Sequence, residues 1–346
     1  IINGEAPKRG FLPETPAIST PLGTGGVGII RISGKNATKI ADRVFVSVNG
    51  KKLSASKGYR AYFGKIYDGE SAIDEVVCLV FRAPHSYTGE DTVEINCHGG
   101  IVLMKKILRL VLQNGAQAAT PGEFTKRAFL NGKLDLSEAE SVMTLISAQG
   151  EQGTSAAFNQ LEGTLSRKID KINSSLLSLA AHIAAWVDYP DDEIEELGET
   201  EQYNTINNAN LELSALLNNF DSGMAITNGV EAAIVGKPNV GKSTLMNLLT
   251  GYDRSIVTEI EGTTRDVVEE TINLNGCILR ISDTAGMRET GDIVEKLGVE
   301  RSKKKLERAS IVFAVFDLSK PLSDEDRELI DECKGKNVIP IINKTD

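Results

Sequence analysis

Two changes of hydrophobic period along the 346 residues predict a chain in three parts: a first region of strands mixed with helices, an α-helical middle region, and an α/β region of strands alternating with helices. The α/β part is announced by residues 230–250, VEAAIVGKPNVGKSTLMNLLT, where a short apolar run at 232–235 is followed by a glycine-rich loop and by helical spacing over 243–249. The helical part is announced by Leu165, Ile169, Ile172, Leu176, Leu179, Ile183 and Trp186, which recur every three or four residues. The first part shows strict alternation over 92–97, with Val93, Ile95 and Cys97 on one face and Thr92, Glu94 and Asn96 on the other.

The composition is that of an ordinary globular chain, with 41% hydrophobic and 25% charged residues, enough for two or three domains. The net charge of −10 is uneven, about +6 over residues 1–130, −12 over 131–227 and −4 over 228–346. An acidic middle argues against nucleic-acid binding by that part. Cys78, Cys97, Cys277 and Cys333 have no paired spacing and read as small core residues. No signal-peptide pattern and no apolar run near the ~18 residues of a membrane span are present, so a cytoplasmic protein without membrane contact is expected.

Residues 1–14 have no period and carry two prolines, so they are expected to be a disordered leader. Strands are expected over 27–33, 61–66, 76–81 and 92–97, with helices over 37–45 and 101–113. The alternation at 92–97 and the lone Arg31 in GIIRIS favour, taken alone, a solvated sheet face over a pocket. His98-Gly99-Gly100 reads as a turn and helix cap. The turns Pro121-Gly122 and Asn131-Gly132, and a capping box at Ser137 and Glu140, mark the passage into helices. One long helix is expected from Leu161, a break at Tyr189-Pro190 with a solvated acidic turn, and a second helix with Ile206, Leu213, Leu217 and Phe220 in phase. Such one-sided helices need partner helices.

The loop Gly236-x-x-x-x-Gly241-Lys242-Ser243 has the spacing with which backbone N–H groups cradle a polyphosphate at a helix start. Lys242 would reach the terminal phosphates and Ser243 would hold magnesium. Asp283-Thr284-Ala285-Gly286 follows a strand at 278–281, where a second magnesium-linked carboxylate is expected. Asn343-Lys344-Thr345-Asp346 follows a strand at 338–342. Its aspartate can accept two hydrogen bonds from the N–H edge of guanine, so the nucleotide is expected to be GTP.

Together with GTGGVGIIRISG, YTGEDTVEINCHGG, TPGEFTKRAFLNGKLDLSEAE and DYPDDEIE, these motifs resemble the MnmE (TrmE) family of tRNA-modifying GTPases from about Ala17 to the last residue. The resemblance implies an N-terminal α+β folate-binding-like domain at 15–130, the first half of a helical domain at 131–227, and a Ras-like α/β P-loop GTPase domain at 228–346. It implies a tetrahydrofolate derivative (5-formyl- or 5,10-methylene-tetrahydrofolate) held by Arg31, Glu94 and Lys133, which replaces the solvated-face reading of Arg31 and Glu94. GTP contacts would come from Asn239, Val240, Gly241, Lys242, Ser243, Thr244, Thr258, Thr263, Thr264, Asp283, Thr284, Ala285, Gly286, Asn343, Lys344 and Asp346.

Ras-like enzymes position water with a glutamine after Asp-x-x-Gly, but Met287 stands there; the resemblance points to Glu295 as the catalytic residue. It also implies K+ on Asn239, Thr258, Ile260 and Thr263, Mg2+ on Ser243 and Thr264, a homodimer, the flavoprotein MnmG (GidA) in a heterotetramer, and tRNA wobble uridine as substrate. Because the family continues into further helices and a Cys-x-Gly-Lys tail, a C-terminally truncated chain is expected. An Era-like regulatory GTPase of ribosome assembly is the alternative, which would show an RNA-binding domain in place of the N-terminal strings.

Overall fold

The computed structural model describes residues 13–148, 150–188, 198–251, 269–274, 276–282, 306 and 309–345. The chain divides into two compact units, Ile1–Glu140 and Ser141–Asp346.

The first unit is built on a sheet of β1 (Thr15–Ile18), β2 (Gly25–Ser33), β3 (Phe45–Ser47), β4 (Arg60–Asp68), β5 (Ser71–Phe81) and β6 (Thr92–Gly99). Their order is β1-β2-β6-β5-β4-β3 and neighbours run antiparallel. Helices α1 (Ala37–Val44) and α2 (Ile101–Gln113) lie against one face. There Ile30, Ile32, Val76, Cys78, Val80, Val93 and Ile95 form a core with Ile40, Val44, Met104, Ile107 and Val111. Alternation produces this arrangement: each apolar side chain sent inward is worth roughly 1.5–3 kcal/mol of burial, which fixes the register and turns the intervening residues outward.

The expected strands and the helix at 101–113 appear, with differences at their ends. Phe45 opens β3 instead of closing α1. His98 and Gly99 extend β6 instead of forming a turn, and Gly100 caps α2. Strand β1 was too short to show a period. Of the leader expected over residues 1–14, residues 1–12 lie outside the described ones. Pro13 and Glu14, by contrast, belong to the folded unit: the Pro13 carbonyl accepts from Arg127 at 2.7 Å and the Glu14 carboxylate accepts from the Asn36 side chain at 2.7 Å.

Helix α3 (Glu123–Leu130) ends at the Asn131-Gly132 turn, and α4 (Leu136–Ser147) follows. Its capping box is two residues earlier than Ser137 and Glu140. Asp135 Oδ1 accepts from Glu138 N and Glu138 Oε2 accepts from Asp135 N, each at 2.8 Å. The same spacing of a short polar residue and a glutamate occurs at both places, and the start at Leu136 selects the first.

The second unit contains α5 (Glu151–Leu161), α6 (Thr164–Asp188), α7 (Glu199–Asn218) and α8 (Phe220–Asn228). The long helix therefore begins at Thr164, after the left-handed Gly163. Phe220 opens a helix of its own instead of continuing the one before it. The acidic turn falls largely on residues 189–197, outside the described ones.

The same unit holds a sheet of β7 (Val230–Val235), β8 (Glu269–Leu274), β9 (Cys277–Ser282), β10 (Ile311–Asp317) and β11 (Asn337–Asn343), with α9 (Lys242–Thr250) and α10 (Asp324–Glu332). The order is β11-β10-β7-β9-β8, parallel except for the β8–β9 hairpin. Ala232 and Ile234 join one core and Ala233 and Val235 another. A strand buried on both faces reads as a continuous apolar run. No helix among the described residues is long and apolar enough to cross a membrane.

Candidate functional site

The glycine-rich loop connects the C-terminal end of β7 to the first turn of α9. Three of its residues have positive φ: Gly236 at +151°, Asn239 at +62° and Gly241 at +105°. Gly236 is required, because a Cβ there would lie 2.5 Å from the Val315 carbonyl oxygen. At Gly241, the N-cap of α9, a side chain would collide with the Asn343 amide. The loop consequently offers backbone at the positive end of the helix, where an anion is favoured.

Lys242 folds back over the loop, its Nζ donating to the carbonyls of Gly236 at 2.7 Å and Lys237 at 2.8 Å. From the far side Asn343 Nδ2 donates to Val240 O at 2.8 Å. This joins the end of β11 to the phosphate loop across 103 positions of sequence, so Gly241, Lys242 and Asn343 of the expected set are brought together. Lys344 follows with φ +57°. Thr258, Ile260, Thr263, Thr264, Asp283, Thr284, Ala285, Gly286, Met287, Glu295 and Asp346 lie outside the described residues.

In the first unit Arg31 on β2 and Glu94 on β6 are register partners. Arg31 Nε and Nη2 donate to Glu94 Oε1 at 2.8 and 2.7 Å. The guanidinium carbon lies 5.7 Å from the Tyr87 ring centroid and 5.5 Å from that of Phe124, within the range of cation–π attraction. Lys133 lies against Gly89: a Cβ there would sit 3.2 Å from Lys133 Cγ.

Beside this cluster Arg127 is fully buried. It donates to Glu90 at 3.0 Å, Glu123 at 2.7 Å, Thr15 Oγ1 at 2.5 Å and Pro13 O at 2.7 Å. Ser33 Oγ donates to Glu90 Oε2 at 2.8 Å. Burial alone would push the Glu123 carboxyl up, but the Arg127 guanidinium, the Thr120 N–H and the Thr15 hydroxyl bring it down to about 2. Tyr87, Glu90, Phe124 and Arg127 were not singled out in the sequence. Only the i, i+4 pair of Glu123 and Arg127 on α3 was there to be read.

Residues 15–133 match the family model described as "GTP-binding protein TrmE N-terminus", and residues 231–344 match "50S ribosome-binding GTPase". A tRNA modification GTPase MnmE of Clostridioides difficile (strain 630) is 45% identical over 337 residues, 97% of this chain and 73% of that protein. The namesake of Acetivibrio thermocellus is 47% identical over 95% of this chain and 72% of its own length.

This chain belongs to the MnmE family of tRNA modification GTPases.

The MnmE namesake of Bacillus subtilis (strain 168) agrees, at 45% identity over 95% of this chain and 72% of its own. A solved structure of Era with MgGDPNP and a 16S ribosomal RNA segment is 37% identical over 33% of this chain and 40% of that one, with TM-score 0.27. As an MnmE-family member the chain is a GTP hydrolase acting in tRNA modification, and its second sheet is that of a P-loop GTPase domain. Such a domain implies Mg2+ beside the phosphates.

Proposed function

We propose that this chain is a potassium-stimulated GTPase that works with the flavoprotein MnmG, as a homodimer within a heterotetramer in the cytoplasm. Together they would install an aminomethyl- or carboxymethylaminomethyl-type group on the wobble uridine of tRNAs, with a one-carbon unit from a tetrahydrofolate. Residues 15–130 form the folate-binding-like domain, 131–227 the first half of the helical domain, and 228–346 the GTPase domain. The match of residues 15–133 to the TrmE N-terminus model supports this reading over an Era-like ribosome-assembly GTPase.

The observation that carries the GTPase part is the Asn343 to Val240 bond. It fastens Asn343, the first residue of the expected guanine-reading motif, to the phosphate loop, which supports one nucleotide meeting both. In this reading the backbone of 239–244 cradles the phosphates and Lys242 meets their terminal oxygens. Asp346 reads the guanine edge, Thr258 and Thr263 are further contacts to the nucleotide, and 283–286 lies at the terminal phosphate with Asp283 as the magnesium-linked carboxylate. Ser243 sits on the first turn of α9 with the hard hydroxyl donor that Mg2+ prefers, and Thr264 is its expected companion. Asn239, turned to positive φ within the loop, has the amide oxygen that suits K+, with Thr258, Ile260 and Thr263 as further donors. The bound cations supply positive charge against the charge developing on the phosphates. Glu295 orients the attacking water, because the thioether of Met287 cannot.

At the other site Arg31 and Glu94 present a paired donor and acceptor beside two aromatic rings. That arrangement fits a flat heterocycle with donors and acceptors along its edge, as in a reduced pterin, with Lys133 available to an anionic group. Two measurements on the intact chain test the proposal. GTP turnover is expected to fall several-fold when K+ is replaced by Na+, and 5-formyl-tetrahydrofolate is expected to raise the melting temperature. Equal rates in both salts overturn the potassium assignment; an unmoved Tm overturns the folate assignment.

A further inference from the structure

The end of β10 and the first turn of α10 carry Asp317 and Asp326, two aspartates outside the nucleotide motifs whose carboxylates hold lysines of the nucleotide loops. Asp317 is the last residue of β10 and the register partner of Asn343. Its Oδ2 accepts from Lys344 Nζ at 2.7 Å, and its Oδ1 accepts from Ser319 N at 3.0 Å and Ser319 Oγ at 2.6 Å. Leu318 N donates to Asn343 O at 3.0 Å, fastening the same corner through the backbone.

Asp326, in the first turn of α10, is only 5% exposed. Its Oδ2 accepts from Ser323 N at 2.9 Å, as a capping box requires, and also from Lys237 Nζ at 2.6 Å. Lys237 Nζ donates to Ser323 Oγ at 2.8 Å as well. A capping box is complete without a lysine, so this third partner calls for a separate reason. Lys237 is the second residue of the phosphate loop, and its carbonyl is the one that Lys242 grips at 2.8 Å. The loop is thus held by its side chain on one side and by its backbone on the other.

These contacts close a ring. Asp326 holds Lys237 of the phosphate loop, Val240 of that loop is held by Asn343, and the neighbouring Lys344 is held by Asp317. Asp317 leads back along the chain to Asp326. We infer that Asp317 and Asp326 are positioning residues for the guanine nucleotide, bracing from one short segment the loop that meets the phosphates and the loop that meets the base. This rests on the nucleotide site proposed above. Lys237 holds the Asp326 carboxyl below its ordinary range, and Lys344 with Ser319 brings Asp317 down to about 2. Both are ionised at neutral pH, so an Asn in either place removes the charge and turns one accepting oxygen into a donor.

The test is the dissociation rate of a fluorescent GDP from the intact chain, read beside the melting temperature without nucleotide. Asp317→Asn and Asp326→Asn are each expected to speed dissociation by about tenfold, at temperatures well below an unliganded Tm that falls only modestly. Lys237→Met should match Asp326→Asn, the double variant should be no worse than either alone, and Lys237→Arg should restore slow release. Lys242→Ala separates the two levels of argument: if it still binds GDP as tightly, the nucleotide-site reading itself fails. If it loses GDP but both Asn variants release at the unaltered rate, the bracing role fails. Additive losses of Tm and binding in the double variant, with no rescue by Arg, also overturn it in favour of a purely structural pair.

Discussion

The two sheets of this chain place chemistry in opposite ways. In the first unit an antiparallel sheet buries one face under α1 and α2, so alternate side chains are free for use, and Arg31 and Glu94 meet across adjacent strands. In the second unit β7 has apolar side chains on both faces, so the strand offers nothing but its end. The working groups there are loop backbone and the residues just beyond the strands. The first site depends on side-chain charges held in place by other charges; the second depends on backbone dihedrals that only certain residues allow.

The largest expected effect separates the two units by their dependence on buried charge. Arg127→Ala leaves Glu90 and Glu123 facing each other without their cation, and should cost the first unit about 3–5 kcal/mol. Urea unfolding should show this as an early transition, with nucleotide affinity of the remainder unchanged. A single transition that also loses nucleotide would show that the units are not independent.

Next in size is a change on the backbone-built side. Glu295→Ala should raise the barrier to GTP hydrolysis by about 2–4 kcal/mol while sparing GTP affinity, the pattern of a group acting mainly in the transition state. Turnover equal to that of the unaltered chain would return Glu295 to an ordinary surface acid.

Acid should also discriminate. The Glu123 carboxyl is lowered from 4.5 to about 2 in the folded chain, so its contribution is fully present above the unfolded value and is lost as pH falls through the folded one. The first unit should therefore lose on the order of 2 kcal/mol between about pH 4.5 and 2. Circular dichroism melts across that range would follow it, and Glu123→Gln should abolish the slope. The smallest effect on the whole molecule is that of Arg31→Ala. It should remove folate binding by calorimetry while GTP turnover stays within about twofold, because Arg31 packs on the partly exposed Tyr87 and Phe124 and is not part of the core.

The same contrast explains what could be read from the sequence. A backbone-built loop leaves a trace in residue order, since glycine at 236 and 241 is demanded by geometry, and the strand before it and the helix after it were apparent from their apolar patterns. The capping box was misplaced because two equivalent spacings overlap. Helix α5 and strands β1 and β3 escaped because each is short or lacks a period. A side-chain site leaves almost no local trace. Arg31 and Glu94 are 63 residues apart, and nothing in either stretch says that β6 pairs with β2. They were reached through family resemblance alone, while Arg127 and Asp326 became visible only with the packing.

The bond from Asn343 to Val240 also carries a consequence for synthesis on the ribosome. Strand β10 lies between β7 and β11, so the loop at 236–241 emerges early but is not fastened until β10 and then β11 have been added. A nascent chain that has exposed the whole phosphate motif still lacks the amide that grips it. A nucleotide that needs both loops is therefore expected to stabilise the chain in full only after residue 343 has left the exit tunnel and docked.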